Sequence, residues 1–235
     1  MKRWVLMAVS IGIFVGGCSR LKPEASVAPQ LKTIQDAIAG GSYDAAVSEA
    51  KAVEGQKPAL ACEPSVLYLE AYAMAYGWGD FQRAQMPLRK LLNFKIRGPL
   101  TVPSQRLLAD CEYWQGDYAR AMREYQRLTL LPDPDIQDYA RLQIAGCLLL
   151  LNKMGDALTA YRSIVDQEAG RPAAGMAQLM VSNIYLEIQN PGQGKSELQK
   201  LLKITKNKAY QEDAKETLRQ IATEAPFNKD SGEAK

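Results

Sequence analysis

Small and apolar residues recur along the chain at fixed distances from a series of turn positions. These positions follow one another at spacings of 38, 37, 36 and 37 residues and are Gly41, Gly79, Gly116, Asn152 and Gln189. Five residues after each turn stands a small residue: Ala46, Ala84, Ala121, Ala157 and Gly194. Apolar side chains follow nine and twelve residues after the turn, as in Leu88 with Leu91 and Tyr125 with Leu128. These offsets predict an amphipathic helix after every turn.

A second helix is predicted before each turn. Seven residues before each turn stand Ile34, Tyr72, Ala109, Ala145 and Ser182. Most of these side chains are small, as expected where paired helices must approach closely. Glycine supplies the left-handed conformation that ends a helix, and asparagine also adopts it. Glutamine does so only at a cost, so we expect the fifth turn to shift from Gln189 onto Asn190-Pro191-Gly192. The pattern therefore predicts about five helix-turn-helix units.

The clearest copies of the unit share a short motif. They read Gly79-Asp80-Phe81-Gln82-Arg83-Ala84 and Gly116-Asp117-Tyr118-Ala119-Arg120-Ala121. Glycine, an acidic residue, an aromatic residue and then alanine three positions on resemble the tetratricopeptide repeat (TPR). The resemblance implies an all-α fold, an α-solenoid of about five TPR-like repeats over residues 30–205. A capping helix is expected over residues 206–223, followed by a polar, disordered tail over residues 224–235.

The N-terminus has the features of an export signal. Basic residues Lys2 and Arg3 precede an apolar stretch over residues 4–15, which is typical of a secretory signal over residues 1–17 and short for a membrane span. It ends in Val15-Gly16-Gly17-Cys18, which resembles the lipobox of bacterial lipoproteins. The resemblance implies that Cys18 is acylated and that residues 18–29 form a flexible lipidated tether. Serine rather than aspartate follows Cys18, which by the same resemblance implies the outer membrane, facing the periplasm, with the inner membrane as the alternative.

Composition argues against several classes of function. The chain contains no histidine, which removes the most common general base and metal ligand. Without Lys2 and Arg3 the formal net charge falls from +3 to +1, so no basic field attracts nucleic acid. We find no convergent catalytic set and expect neither an enzyme nor a cofactor or metal site.

Three local patterns have simple structural interpretations. The segment Gly192-Gln193-Gly194-Lys195-Ser196 lacks the first glycine of a phosphate-binding loop and falls in a helical region. Asp133-Pro134-Asp135 offers two carboxylates, but Asp135 with Asp138 is expected to cap the next helix. Cys111 and Cys147 occupy equivalent positions in successive units and are expected to be core thiols, while pairing of Cys62 with one of them stays open.

The remaining interpretation is a binding module. In TPR arrays the first helices form a concave groove that holds an extended peptide or a partner's helix. The positions two and three before the turn tend to face that groove, and here they include Tyr76, Tyr113, Trp114, Leu149 and Leu150. Arg106 and Asp110 lie on the same helix as Tyr113 and offer polar contacts. Alternatively, Tyr113 and Trp114 fill space between units.

The partner follows from the anchor and the array together. A lipid-anchored array resembles envelope scaffolds, which implies binding to other envelope proteins through the groove. We expect a role in assembling an outer-membrane machine, either a secretin or pilus or the β-barrel assembly machinery. The alternative is a scaffold in exopolysaccharide or cell-wall machinery, with an enzyme or enzyme subunit as the remaining hypothesis.

Overall fold

The computed structural model describes residues 28–56, 63–93, 98–167 and 171–224. Within these ranges the chain forms eleven α-helices and no strand. They are α1 (Ala28–Ala39), α2 (Tyr43–Gln56), α3 (Pro64–Tyr72, continued by a π-helical turn Ala73–Gly77), α4 (Phe81–Asn93), α5 (Thr101–Trp114), α6 (Tyr118–Leu128), α7 (Pro134–Leu150), α8 (Met154–Gln167), α9 (Pro172–Glu187), α10 (Pro191–Ile204) and α11 (Lys208–Glu224). The predicted all-α fold of helix-turn-helix units is confirmed.

The predicted signal segment, Cys18, most of the predicted tether, Cys62 and nearly all of the predicted tail lie outside the described residues. The described chain divides into two compact units, with the boundary between Asp117 and Tyr118. The first unit contains α1 to α5, and its core includes the fully buried side chains of Ile34, Ala46, Val66, Ala84 and Leu88. The second contains α6 to α11, with a core cluster of Leu179, Leu198, Leu201 and Ala214 to which α9, α10 and α11 contribute. In the described ranges, no helix is long and apolar enough to cross a membrane.

The predicted apolar stripe is buried in every repeat. The four alanines five residues after the turn, at positions 46, 84, 121 and 157, are fully buried, and so is the equivalent Gly194. A Cβ atom at Gly194 would lie 2.6 Å from Cδ2 of Leu186, so any side chain at this position would force Leu186 to move. The residues nine and twelve after each turn are all buried as well. The register of the second helices is therefore confirmed.

Four of the five turns follow the prediction, and the fifth corrects it. Gly41, Gly79, Gly116 and Asn152 have positive φ angles, as predicted. Gln189 also has a positive φ, of 58°, so the fifth turn does not shift. Asn190 is instead held as the N-cap of α10, where its side chain accepts a hydrogen bond from the Gln193 amide, and Pro191 fixes the first helical residue. The left-handed residue must therefore precede Asn190, although it is a glutamine.

The second repeat contains one extra residue in its first helix. In the other four repeats the residue seven positions before the turn is fully buried. In this repeat Tyr72 is half-buried, and the preceding Ala71 is fully buried instead. The π-helical turn accommodates the extra residue. The amide of Asp80 therefore donates to the carbonyl of Met74, six residues back. In the next repeat the equivalent amide, of Asp117, donates to the carbonyl of Glu112, only five residues back. The alignment of Tyr72 with Ala109 was wrong by one residue.

The acidic segment before α7 also differs from the expectation. Asp133, not Asp135, caps the helix, because its side chain accepts from the amides of Asp135 and Ile136. Asp135 and Asp138 instead bond to Arg171, which lies before α9, at 2.8 and 2.5 Å. Asp138 is buried, so it needs a charged partner more than a capping role. In the described ranges no group of three or more His, Cys, Asp or Glu could hold a metal ion.

The two core cysteines agree with the prediction. Cys111 and Cys147 are free and fully buried. Burial raises the pKa of each thiol to about 12. Both are therefore protonated and unreactive packing groups at neutral pH.

Candidate protein-binding surface

A stripe of tyrosines runs along α3 in the first unit. Tyr68, Tyr72 and Tyr76 are spaced four residues apart, which places them on one side of the helix. The ring centroids of Tyr68 and Tyr72 are 6.3 Å apart, and those of Tyr72 and Tyr76 are 4.8 Å apart. Tyr68 and Tyr72 are half-buried, whereas Tyr76 is 46% exposed. Of these three, only Tyr76 was predicted to bind a partner, although the four-residue spacing identifies all three. We call these three residues the tyrosine stripe.

Tyr76 contacts two of the predicted polar residues. Its hydroxyl donates to Oδ2 of Asp110 on α5 at 3.5 Å, and Nε of Arg106 lies 3.8 Å from the same oxygen. Asp110 is only 5% exposed, so its charge lies beneath the surface. Loss of solvent around the hydroxyl and the charge of Asp110 both raise the pKa of Tyr76. The structure thus brings Tyr76, Arg106 and Asp110 together, and the phenol stays protonated as a donor.

Tyr113 and Trp114 lie at the end of α5 in a more enclosed position. Tyr113 is 4% exposed and packs edge-to-face on Trp114, with ring centroids 5.4 Å apart. Trp114 is half-buried and stacks on Phe81, with ring centroids 6.1 Å apart. Phe81 lies two residues after the preceding turn. One repeat earlier, Gly77 occupies the position of Trp114, and a Cβ there would overlap the ring of Tyr43. In these two repeats the residue two before the turn therefore lies against the aromatic residue of the preceding repeat. The role of Tyr113 and Trp114 in binding stays a prediction.

Leu149 and Leu150 belong to the second unit. Both end α7 and are half-buried, so each presents part of its apolar surface. Their role in binding also stays a prediction. Elsewhere in this unit, Arg162 on α8 contacts Tyr185 on α9. Its guanidinium group donates to the Tyr185 hydroxyl at 2.7 Å and lies over the ring, 5.6 Å from the centroid.

A buried carboxylate organises the fifth repeat. Glu197 on α10 is 3% exposed and accepts hydrogen bonds from Gln178 at 2.7 Å, Gln193 at 2.8 Å and Lys200 at 3.1 Å. Burial acts to raise its pKa, but the hydrogen bonds from Gln178, Lys200 and Gln193 outweigh burial and lower it. This closed network joins α9 to α10 and leaves the carboxylate oxygens committed to structural partners. Residues 192–196 lie in α10, which follows another helix. They therefore do not form a phosphate-binding loop, which would follow a strand.

Solved structures with a similar fold are known. The chain resembles YrrB, described as a TPR protein with an unusual peptide-binding site, with a TM-score of 0.57 and 16% identity over 87% of this chain and 98% of that one. The fold is TPR-like. A putative kinesin light chain from Podosopora anserina with nearly identical TPR-like repeats has a TM-score of 0.57 and 16% identity, covering 88% of this chain and 100% of that one. A second crystal structure of that kinesin light chain, carrying one substitution, has a TM-score of 0.59 at 14% identity, covering 81% and 97%. No protein-family model matches the chain, and no curated protein is significantly similar to it.

Proposed function

We propose that this chain is a non-enzymatic scaffold that binds another protein through the first helices of its repeats. The observation that carries the proposal is the tyrosine stripe, which ends at the exposed Tyr76 beside Arg106 and Asp110. Tyrosine and arginine are among the residues that most often dominate protein interfaces. Tyrosine also offers a large contact area and a hydroxyl while losing little conformational entropy.

The local geometry favours a prearranged contact. The hydrogen bond to Asp110 and the packing on Tyr72 restrain the ring of Tyr76 before any partner arrives, which lowers the entropic cost of binding. The π-helical turn just before Gly79 sets the direction of this side chain, and such turns occur frequently at functional sites. The ligand is an extended segment or a helix of the partner. Peptide binding by YrrB, a protein of similar fold, supports this class of ligand.

The proposal includes a membrane anchor. The ordered export signal and Val15-Gly16-Gly17-Cys18 motif support acylation of Cys18. Two or three acyl chains would hold the protein stably on the membrane. The partner would then be an envelope protein, and the role would be in assembling an outer-membrane machine such as a secretin, a pilus or the β-barrel assembly machinery.

The binding surface is tested with a photo-crosslinking amino acid placed at position 76. We expect a discrete crosslinked protein from cells, because position 76 would lie within the interface. The control places the same amino acid at Gln82, an exposed residue of α4 in the same unit. With the captured partner purified, Tyr76→Ala should weaken binding by roughly tenfold or more. Equal crosslinking at positions 76 and 82 would overturn the assignment of the surface.

The anchor is tested by cell fractionation. Cys18→Ala should move the protein from the membrane fraction to the soluble periplasm or leave its signal uncleaved. The control is Cys111→Ala, which removes a buried thiol and should leave the protein on the membrane. A Cys18→Ala protein that still floats with membranes would contradict lipidation while leaving the binding surface untouched.

A further inference from the structure

The outer face of α10 is strongly positive. Three exposed lysines lie on this helix, and two more follow it before and at the start of α11; they are Lys195, Lys200, Lys203, Lys206 and Lys208. The only acidic residue from Pro191 to Lys208 is Glu197, which is buried and bonded inward. Lys200 pairs with Glu197, but its side chain remains 56% exposed. We call these five lysines the α10 lysine face.

The equivalent helix of the preceding repeat differs. In α8 the exposed acids Asp156 and Asp166 accompany Arg162, so its surface charges are mixed. Two of the three acidic residues near the start of α11 pair with basic residues of their own helix: Glu212 with Lys215 at 2.8 Å and Glu216 with Arg219 at 3.1 Å. The third, Asp213, is exposed. The excess positive charge in this part of the second unit is therefore local to α10 and the segment after it.

The composition of the face indicates the kind of partner. The five residues that define the face are all lysines. Arg162 on α8 lies 3.8 Å from Glu197, but its guanidinium group donates to the Tyr185 hydroxyl and lies over that ring. The face itself therefore offers ammonium groups and lacks the rigid donors and aromatic anchors typical of specific protein interfaces. Ile204, a large aliphatic residue with 41% exposure, lies among the lysines. Mobile ammonium groups around an exposed aliphatic side chain suit a diffuse, negatively charged surface with an apolar layer beneath it.

We propose that the α10 lysine face binds the surface of an anionic phospholipid bilayer. The contact goes beyond the proposed scaffold function and requires neither the tyrosine stripe nor acylation of Cys18. It would hold the second unit against a membrane in a defined orientation. Each lysine near such a surface strengthens binding by about fivefold, and the attraction decays within roughly 10 Å at 0.1 M salt.

The test measures sedimentation of the full chain with vesicles. Phosphatidylcholine vesicles are compared with vesicles in which part of this lipid is replaced by phosphatidylglycerol. The apolar signal segment contributes to both, so the increase caused by phosphatidylglycerol is the readout. The triple variant Lys195→Gln, Lys203→Gln, Lys206→Gln should lose most of this increase, by roughly a hundredfold in partition coefficient, and high salt should abolish it in the unmodified chain.

The matched control removes the same charge elsewhere in the second unit. Lys153→Gln, Lys215→Gln, Arg219→Gln should keep most of the phosphatidylglycerol-dependent binding. Equal losses in the two triple variants would overturn the proposal, because they would show an effect of net charge alone. An unchanged α10 variant, or binding to an acidic protein but not to vesicles, would also overturn it. Tyr76→Ala should bind vesicles like the unmodified chain, which separates this contact from the proposed scaffold surface.

Discussion

The second and fifth repeats arise from the same sequence period but direct their side chains differently. In the second repeat, α3 ends in a π-helical turn and Tyr76, three residues before the turn, is exposed. In the fifth repeat the residue at that position is Leu186, which packs against Gly194 of the neighbouring helix. In the fifth repeat, regular helical geometry thus packs this side chain against the neighbouring helix. In the second repeat, one inserted residue instead places an aromatic side chain at the surface.

The polar contacts of the two repeats differ in the same way, since those of the fifth are buried and that of the second involves an exposed side chain. Glu197 accepts three hydrogen bonds of 2.7 to 3.1 Å from residues of its own repeat, and Arg162 of the preceding repeat lies 3.8 Å from its carboxylate. Tyr76 makes a longer contact, of 3.5 Å, with Asp110 of the next repeat. Buried networks with short bonds contribute mainly to stability, whereas an exposed ring with one long bond has surface available for a partner. The expected effects of substitution should therefore differ between the two repeats.

The largest effect is expected from Glu197→Ala in the fifth repeat. It leaves buried donors of Gln178 without their acceptor, which should cost about 3 kcal/mol of unfolding free energy. Urea denaturation measures the change. The control, Glu216→Ala on the exposed side of α11, should cost less than about 0.5 kcal/mol. Similar losses in both variants would show that the Glu197 network is not a stabilising element.

The same carboxylate predicts a pH dependence. The pKa of Glu197 is lowered in the folded state, so its stabilising contribution is present above the unfolded pKa of about 4.3. The contribution is lost as the pH falls through the lower folded pKa. Glu197→Gln should lessen this loss in the acidic range, measured as melting temperature against pH. An unchanged pH profile in that variant would contradict the predicted shift.

The next effect concerns the packing of the π-helical turn in the second repeat. Gly77→Ala should cost about 2 kcal/mol, because its Cβ would overlap the ring of Tyr43 and force a rearrangement. The control is Gly155→Ala in α8, where a Cβ meets no atom within 4 Å. That substitution should stabilise the protein by up to about 1 kcal/mol. If both variants melt at the same temperature, the close approach of Tyr43 to Gly77 is refuted.

A smaller effect, of opposite sign, is expected at the turn of the fifth repeat. Gln189→Gly should stabilise the protein by about 1 kcal/mol, because glycine adopts the φ of 58° without steric cost. Gln199→Gly, at an exposed position within α10, should instead destabilise it by about 1 kcal/mol. Thermal unfolding distinguishes the two. Destabilisation by both substitutions would show that Gln189 does not occupy the left-handed region.

The smallest effect on folding is expected at Tyr76. Tyr76→Phe removes only the 3.5 Å hydrogen bond to Asp110 and should change the unfolding free energy by less than about 1 kcal/mol. Leu186→Ala, at the equivalent position of the fifth repeat, should cost about 2 kcal/mol because it opens a cavity beside Gly194. A larger loss in Tyr76→Phe than in Leu186→Ala would reverse the comparison and make the Tyr76 hydroxyl a stabilising group.

Much of this fold could be predicted from the sequence because the signals are local. A left-handed turn favours glycine or asparagine whatever surrounds it, which explains the correct positions of Gly41, Gly79, Gly116 and Asn152. The 3.6-residue period of a helix likewise determines which side chains share its buried face, and Ala121 and Tyr125 are buried accordingly. Of the candidate site, Tyr76 could be selected from its distance to the turn, and Arg106 with Asp110 because four-residue spacing places them side by side on one helix.

The tertiary structure decided whatever depends on residues far apart in the sequence. Asp138 pairs with Arg171, 33 residues away, rather than capping its own helix, and Trp114 stacks on Phe81 of the preceding repeat. The π-helical turn is a further case, since the extra residue could be accommodated in a loop or in the helix. Burial of Ala71 and the fit of Tyr43 against Gly77 placed it in the helix. Local preference sets the period of this protein, but packing between neighbouring helices determines which side chains remain exposed at the surface.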